Sequence, residues 1–185
     1  MSFKLRLLSQ NWIDDDPHHI DLCSHGSIYL KIGDNVVADE EDGEWTVSTS
    51  ALIMLRSAIT DYITDETAPM IHHCGQLMMV GCPISVCWTV QHNGSAVLLS
   101  GIRKQPTTDT KDLVCYLKDK EQVTVSKATY VRDILRFADA VAQFLENSPE
   151  RVFVENEYDR NEYSAFLDEF NSLRDKARDA LKQNA

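Results

Sequence analysis

The chain has 185 residues, 43% of them hydrophobic and 25% charged, and its formal net charge is −11. This length and balance predict one soluble domain whose core is large enough to fold without disulfides or a metal. The negative charge repels phosphate backbones, so we expect no nucleic-acid partner. The first fifty residues hold three basic and ten acidic side chains, which favours a basic protein or a divalent cation instead.

The amino-terminal segment predicts neither a secretion signal nor a membrane anchor. Lys4 and Arg6 interrupt its apolar residues, and no small-residue cleavage site follows. No run in the chain approaches the roughly 18 apolar residues that span a bilayer. We therefore expect a cytoplasmic protein without membrane contact, whose five cysteines stay reduced.

Apolar residues at every second position predict a first strand over residues 3–7. The apolar and β-branched composition of residues 27–31 predicts a second strand, and a turn joins it to a return strand that begins at residues 36–37. From Leu52 to Tyr62 the apolar residues recur every three or four positions, which predicts a buried helix. Ser48 or Thr49 is expected to cap its start, since a hydroxyl can accept a bond from an unpaired helix amide.

The densest apolar alternation lies in the middle of the chain and predicts the central antiparallel sheet. Asn93 and Gly94 stand between two apolar runs, and because both tolerate a positive φ they predict a tight hairpin. Val86, Trp88 and Val90 would share one face of it, which we expect to pack against a helix. The strands of this sheet are predicted at residues 76–80, 85–92 and 95–103.

The second half of the chain predicts one more strand pair and two helices. The strand pair covers residues 112–117 and 122–125. Ser126 would then cap the start of a long amphipathic helix. The last helix is predicted over residues 160–182 with Asp159 as its cap. Beyond Leu173 this helix turns polar and could project from the core.

The order of these elements predicts the fold class. Strands in runs followed by helices in runs indicate an α+β domain over residues 1–185, rather than a parallel doubly wound sheet. We expect an antiparallel sheet of hairpins packed by about three helices, the last two at the C-terminus. If the last helix lies against a partner, an assembly subunit or a chaperone is a further candidate function.

Histidine and cysteine are concentrated in two short segments of the chain. Imidazole and thiolate are the usual zinc ligands, so a zinc-binding protein or a metal-dependent hydrolase is one alternative function. The candidate ligands are Cys23, His25, His72 and Cys74. The segments contain no C-x-x-C pair, which favours polar loop histidines and buried cysteines over a metal site.

A cysteine beside a histidine could also act as a nucleophile, and Cys74 and Cys23 both qualify. A buried, inert cysteine is the more common outcome. The chain has no G-x-S-x-G elbow, and its seven glycines form no phosphate-binding loop. We predict no catalytic residue and no cofactor, with zinc as the alternative.

Two runs of carboxylates are the remaining candidates. They are Asp14, Asp15 and Asp16, and Asp39, Glu40, Glu41, Asp42 and Glu44. Neither run has the spacing of a calcium loop, and adjacent solvated carboxylates lack the pocket that general acid–base catalysis requires. Carboxylates beside aromatic residues such as Trp12 favour a surface that binds a basic protein. The alternative is a solvated surface that only maintains solubility.

Three segments together resemble a family of small, acidic, functionally uncharacterised bacterial proteins. The segments are DLCSHGSIYLKIGD, EWTVSTSAL and GCPISVCWTVQHNG, about a fifth of the chain. Some such families are similar to the immunity proteins of bacterial toxin systems. The resemblance implies a cytoplasmic α+β protein that neutralises a cognate toxin by binding it. From the residues themselves we predict that the two carboxylate runs form the partner-binding face.

Overall fold

The structure is a computed structural model that describes residues 2–14, 22–64, 68–77, 79–118, 120–151 and 157–183. The described residues form an α+β fold with antiparallel sheets and three α-helices, the last two at the C-terminal end. This confirms the predicted fold class. No helix among these residues has both the length and the apolar character needed to cross a membrane.

The elements follow one another along the chain as strands β1 to β12 and helices α1 to α3. The strands are β1 (Phe3–Leu7), β2 (His25–Gly26), β3 (Ile28–Ile32), β4 (Asn35–Ala38), β5 (Trp45–Thr46), β6 (Ile71–His72), β7 (Gly75–Gln76), β8 (Met79–Val80), β9 (Ser85–Asn93), β10 (Ala96–Gln105), β11 (Val114–Cys115) and β12 (Gln122–Ser126). The helices are α1 (Val47–Ile59), α2 (Lys127–Asn147) and α3 (Glu157–Gln183), with short 3₁₀ turns at Glu40–Asp42 and Thr110–Asp112.

The largest sheet is built on the hairpin of β9 and β10, and β6 extends it beyond β9. The hairpin confirms the prediction from Asn93 and Gly94, with the turn one residue later than expected. Asn93 pairs with Ala96, so Gly94 and Ser95 form the turn. The φ of Gly94 is 58°, a conformation that glycine adopts without the steric cost of a Cβ.

The other edge of β10 corrects one predicted pairing. Strands β11 and β12 do not pair with each other: β11 pairs with β10 at Arg103 and Lys104, and β12 pairs with it from Ala96 to Ser100. Both therefore extend the same edge of β10 in succession. The long strand β10 offers backbone groups along its whole length, and pairing with both segments satisfies them.

Three smaller pairings complete the sheets. Strands β1, β3 and β4 form one sheet in that order, and β2 pairs with β5. Strands β7 and β8 form a separate two-stranded hairpin in which Gly75 pairs with Val80 and Gln76 with Met79. The single strand predicted over residues 76–80 is therefore wrong, because the chain reverses within that segment.

Helix α1 begins and ends earlier than the sequence predicts. Its first residue is Val47, so Ser48 and Thr49 lie inside the helix and do not cap it. Their hydroxyls have other partners: Ser48 Oγ accepts a bond from the Ser24 amide at 3.0 Å, and Thr49 Oγ1 lies 3.1 Å from His72 Nε2. The helix ends at Ile59, since Tyr62 pairs with the backbone of β9.

Ser126 caps α2 as predicted, because its Oγ accepts a bond from the Thr129 amide at 3.1 Å. The predicted cap of the last helix is wrong, since Asp159 lies within its first described turn. Helix α3 also does not project beyond Leu173. Arg174 and Arg178 both contact Asp139 of α2, at 2.9 and 2.6 Å, and fix this end against the neighbouring helix.

The core joins the largest sheet to α2. Val86, Trp88 and Val90 are all buried on one face of β9, as predicted. Trp88 Nε1 donates to the Tyr130 hydroxyl of α2 at 3.2 Å, and Ser57 Oγ of α1 lies 2.8 Å from the same hydroxyl. Complete burial raises the pKa of Tyr130, so this phenol stays protonated and bonded.

Candidate functional site

Residues 39–44, here called the acidic turn, form an ordered capped turn. Asp39 Oδ1 accepts a bond from the Glu41 amide at 3.0 Å, and Asp42 Oδ2 accepts one from the Asp39 amide at 3.0 Å. These reciprocal bonds satisfy backbone donors that a short 3₁₀ turn leaves unpaired. The turn is therefore held in one conformation.

An ion pair attaches the acidic turn to the largest sheet. Lys104 Nζ of β10 forms an ion pair with Asp42 Oδ1, and their side chains are only 14% and 16% exposed. Asp42 thus faces inward, whereas Glu40, Glu41 and Glu44 are exposed. Of the five carboxylates that the sequence presents as one solvated run, three remain available to a partner.

An apolar sheet edge borders the acidic turn. Val114 pairs with Lys104 in the antiparallel register, and paired residues direct their side chains to the same face of a sheet. Val114 therefore lies on the face where Lys104 contacts Asp42. Val114 is 41% exposed and Leu113, which precedes it, is 45% exposed.

Tyr116 connects this edge to the acidic turn. Its hydroxyl donates to the Val37 carbonyl of β4 at 3.3 Å. Burial first, and then the nearby charges of Asp42 and Asp39, raise the pKa of Tyr116. Because Val37 lies two residues before Asp39, the hydrogen bond from Tyr116 links the segment that follows β11 to the start of the acidic turn.

The other predicted acidic run lies elsewhere. The Asp14 carbonyl accepts a bond from Arg151 Nη2 at 3.4 Å, and the guanidinium of Arg151 stacks on Trp12, 3.9 Å from the ring centroid. Trp12 Nε1 donates to Ser148 Oγ at 3.1 Å, at the C-terminal end of α2. Asp14 is exposed, and Asp15 and Asp16 lie outside the described residues.

Two of the predicted metal ligands are buried next to each other. His25 pairs with Thr46 between β2 and β5, and Thr46 Oγ1 donates to the His72 carbonyl at 2.8 Å. Burial, together with the neighbouring His25, lowers the pKa of His72 to about 4. His72 is therefore neutral at physiological pH, with Nε2 beside the Thr49 hydroxyl.

The other two predicted ligands lie in different surroundings. Cys23 is buried and belongs to the hydrophobic core. Cys74 is half-buried and lies next to Cys82. The four predicted ligands are thus divided among the His25–His72 pair, the surroundings of Cys23 and the hairpin of β7 and β8.

A different His/Cys cluster forms at that hairpin. The ligand atoms of His73, Cys74 and Cys82 all lie within 4.8 Å of one another. No other group of three His, Cys, Asp or Glu residues in the described part of the chain comes this close together. Cys82 Sγ is 3.8 Å from His73 Nδ1. A signal for this cluster is present in the sequence. A Cys-Gly pair at residues 74–75 precedes the chain reversal and a Gly-Cys pair at residues 81–82 follows it.

The environment of Cys74 disfavours a nucleophilic role. Burial, followed by the neighbouring Cys82, raises the pKa of the Cys74 thiol to about 11. An activated cysteine needs the opposite shift, because the thiolate is the reactive form. A pair of thiols beside an imidazole is instead a donor set for a soft or borderline metal ion.

The two candidate sites therefore differ in chemistry. The acidic turn with its apolar edge can contact a basic protein surface, and the His73 cluster can bind a metal ion. No protein-family model, no curated protein and no solved structure matches the chain. Its function has to be inferred from these side chains.

Proposed function

We propose that the protein is a non-catalytic protein-binding protein, most concretely an immunity-type inhibitor that covers a basic surface of a cognate toxin. The observation that carries the proposal is the acidic turn beside the exposed apolar edge at β11.

Order in the acidic turn favours binding. The capping bonds of Asp39 and Asp42 and the ion pair with Lys104 already restrict the backbone. A partner therefore does not have to supply the free energy that ordering a mobile loop would cost. Glu40, Glu41 and Glu44 project from this rigid base and attract a basic surface at long range.

The exposed apolar residues at β11 can contribute contact energy that the carboxylates alone do not provide. Exposed carboxylates mainly accelerate encounter and set specificity, whereas buried apolar area contributes most of the contact energy. Leu113 and Val114 provide such area next to the acidic turn. Among the described strands β11 pairs with β10 alone, so its outer backbone groups can also bond to an extended segment of the partner.

The test compares two triple variants that remove the same charge. One neutralises the exposed carboxylates of the acidic turn, as Glu40→Gln, Glu41→Gln and Glu44→Gln. The control neutralises exposed carboxylates of α3, as Glu157→Gln, Glu162→Gln and Asp168→Asn. The measurement is association with a candidate toxin domain taken from a neighbouring reading frame, at two salt concentrations.

We expect the acidic-turn variant to associate at least about tenfold more slowly at low salt, because steering by three charges is lost. The α3 control should retain the rate of the unmodified chain. A further triple variant, Asp14→Asn, Asp15→Asn and Asp16→Asn, tests the other predicted run. The proposal is abandoned if none of these changes alters binding to any co-encoded partner.

A further inference from the structure

The hairpin of β7 and β8 brings together two cysteines that are eight positions apart. Gly75 pairs with Val80, and the Gly81 amide donates to the Cys74 carbonyl at 2.8 Å. Cys74 therefore lies opposite Gly81 at the open end of the hairpin, and Cys82, the next residue, has its thiol within 4.8 Å of the Cys74 thiol. Both are half-buried, and neither is part of a disulfide.

His73 completes the cluster from the same chain segment. Its amide donates to the Ile84 carbonyl at 3.1 Å, which fixes the backbone just before Cys74. Its ring contacts Trp45 edge-on, with centroids 6.4 Å apart. These two contacts orient the imidazole, so that Nδ1 lies 3.8 Å from Cys82 Sγ.

These separations match the geometry of a tetrahedral zinc ion. With Zn–S bonds of about 2.3 Å and Zn–N bonds of about 2.0 Å, two sulfurs lie about 3.8 Å apart, and a sulfur and a nitrogen about 3.5 Å apart. The three ligand atoms here lie within 4.8 Å of one another, and one pair is already at 3.8 Å. The ligand atoms that are farthest apart would have to approach by up to about 1 Å for one zinc ion to contact all three.

We propose that His73, Cys74 and Cys82 bind one zinc ion through an imidazole nitrogen and two thiolates, with the fourth position open to water or to an external ligand. This donor set differs from the one that the sequence suggests, because His72 is buried against Thr49 and Cys23 is buried in the hydrophobic core. The site is independent of the acidic turn and of the proposed inhibitor function.

The donor atoms select the class of metal. Calcium and magnesium require six or more oxygen ligands, and no carboxylate belongs to this cluster of described residues. Two thiolates and an imidazole suit zinc, in a tetrahedral arrangement. Bound zinc would link Cys74 to Cys82 and close the hairpin, so binding should stabilise the folded protein.

The experiment uses the untagged full-length chain, reduced and freed of metal, with zinc and cobalt(II) as probes. We expect one zinc per chain by elemental analysis and a higher thermal unfolding midpoint after zinc is added. Cobalt(II) should give thiolate-to-metal charge transfer and the strong visible bands of tetrahedral coordination. The cobalt spectrum of the unmodified chain reports the ligands directly and does not depend on a variant that folds.

Matched single variants then identify the ligands. Cys74→Ser, Cys82→Ser and His73→Gln should each weaken zinc binding by more than about 100-fold. Losing a group that only orients a ligand already costs up to about 100-fold, and losing the ligand itself should cost more. The controls are the exposed Cys115→Ser, the neighbouring His72→Gln and the buried Cys23→Ser, which should keep stoichiometric zinc. Circular dichroism verifies that each variant is folded.

Either of two results overturns the proposal. One is a reduced chain that binds no stoichiometric zinc at micromolar free metal and gives no thiolate–cobalt band. The other is zinc that persists in folded Cys74→Ser and Cys82→Ser but is lost in Cys23→Ser or His72→Gln. The second result would favour the ligand set suggested by the sequence.

Discussion

Lys104 and Asp42 form a largely buried ion pair between residues 62 positions apart in the sequence. The pair joins the longest strand of the largest sheet to the acidic turn. The Lys104 ammonium offsets the negative charge of Asp42 and so reduces the repulsion among the neighbouring carboxylates. The ion pair also holds the acidic turn in a fixed position against β10. The orientation of the exposed Glu40, Glu41 and Glu44 depends on this anchor.

Breaking the pair should destabilise the protein. In Lys104→Met the carboxylate of Asp42 loses its cation while it stays mostly buried, which should lower the free energy of unfolding by about 1–3 kcal/mol. Urea unfolding of Lys104→Met, Asp42→Asn and the double variant measures the coupling energy. Additive effects of the two changes would show that the pair contributes nothing.

The stability of the fold should depend on pH through His72. Its pKa is about 4 in the folded protein and 6.5 as the reference value, so between these pH values the unfolded chain binds more protons. The free energy of unfolding should therefore be highest above pH 6.5 and fall as the pH drops to about 4, by up to about 3 kcal/mol.

The control variant is His72→Gln, whose side chain cannot titrate but can still form a hydrogen bond with the Thr49 hydroxyl. Urea unfolding at several pH values between 4 and 7 should show a shallower slope for the variant. Nδ1 of His72 has no hydrogen-bond partner among the described residues, so protonation there gains no compensating bond. Equal slopes in the two proteins would contradict the assignment to His72.

The Tyr130 hydroxyl should stabilise the core measurably. In Tyr130→Phe the buried Trp88 Nε1 and Ser57 Oγ lose a partner, which should cost about 1–3 kcal/mol. Tyr29→Phe removes a hydroxyl from a half-buried ring and should change stability by less than about 0.5 kcal/mol. Thermal and urea unfolding of both variants checks this, and similar losses in the two would refute the role of the hydroxyl.

A positive charge at the apolar edge should weaken partner binding without unfolding the protein. Val114→Lys removes exposed apolar area beside the acidic turn and repels a basic partner, so we expect a Kd at least about tenfold higher. Thr124→Lys makes the same charge change at an exposed position of β12 and serves as the control. Titration calorimetry with a basic protein that binds the unmodified chain measures both, and equal affinities would count against β11 as a contact surface.

Local patterns in the sequence were sufficient for a large part of the fold. The hairpin at Asn93 and Gly94, the cap at Ser126 and the buried face of Val86, Trp88 and Val90 all follow from residues close together in the chain. Turn chemistry, capping and periodicity act over a few residues, so a sequence alone carries their signal.

Contacts between distant residues depend on how the elements pack. Both β11 and β12 join β10, Arg174 and Arg178 fix the end of α3 to Asp139, and Lys104 turns Asp42 inward. His73, Cys74 and Cys82 converge because the segment read as one strand reverses into a hairpin. Local periodicity contains no information about which distant groups meet, because those pairings are selected by burial and by satisfaction of backbone bonds across the whole chain.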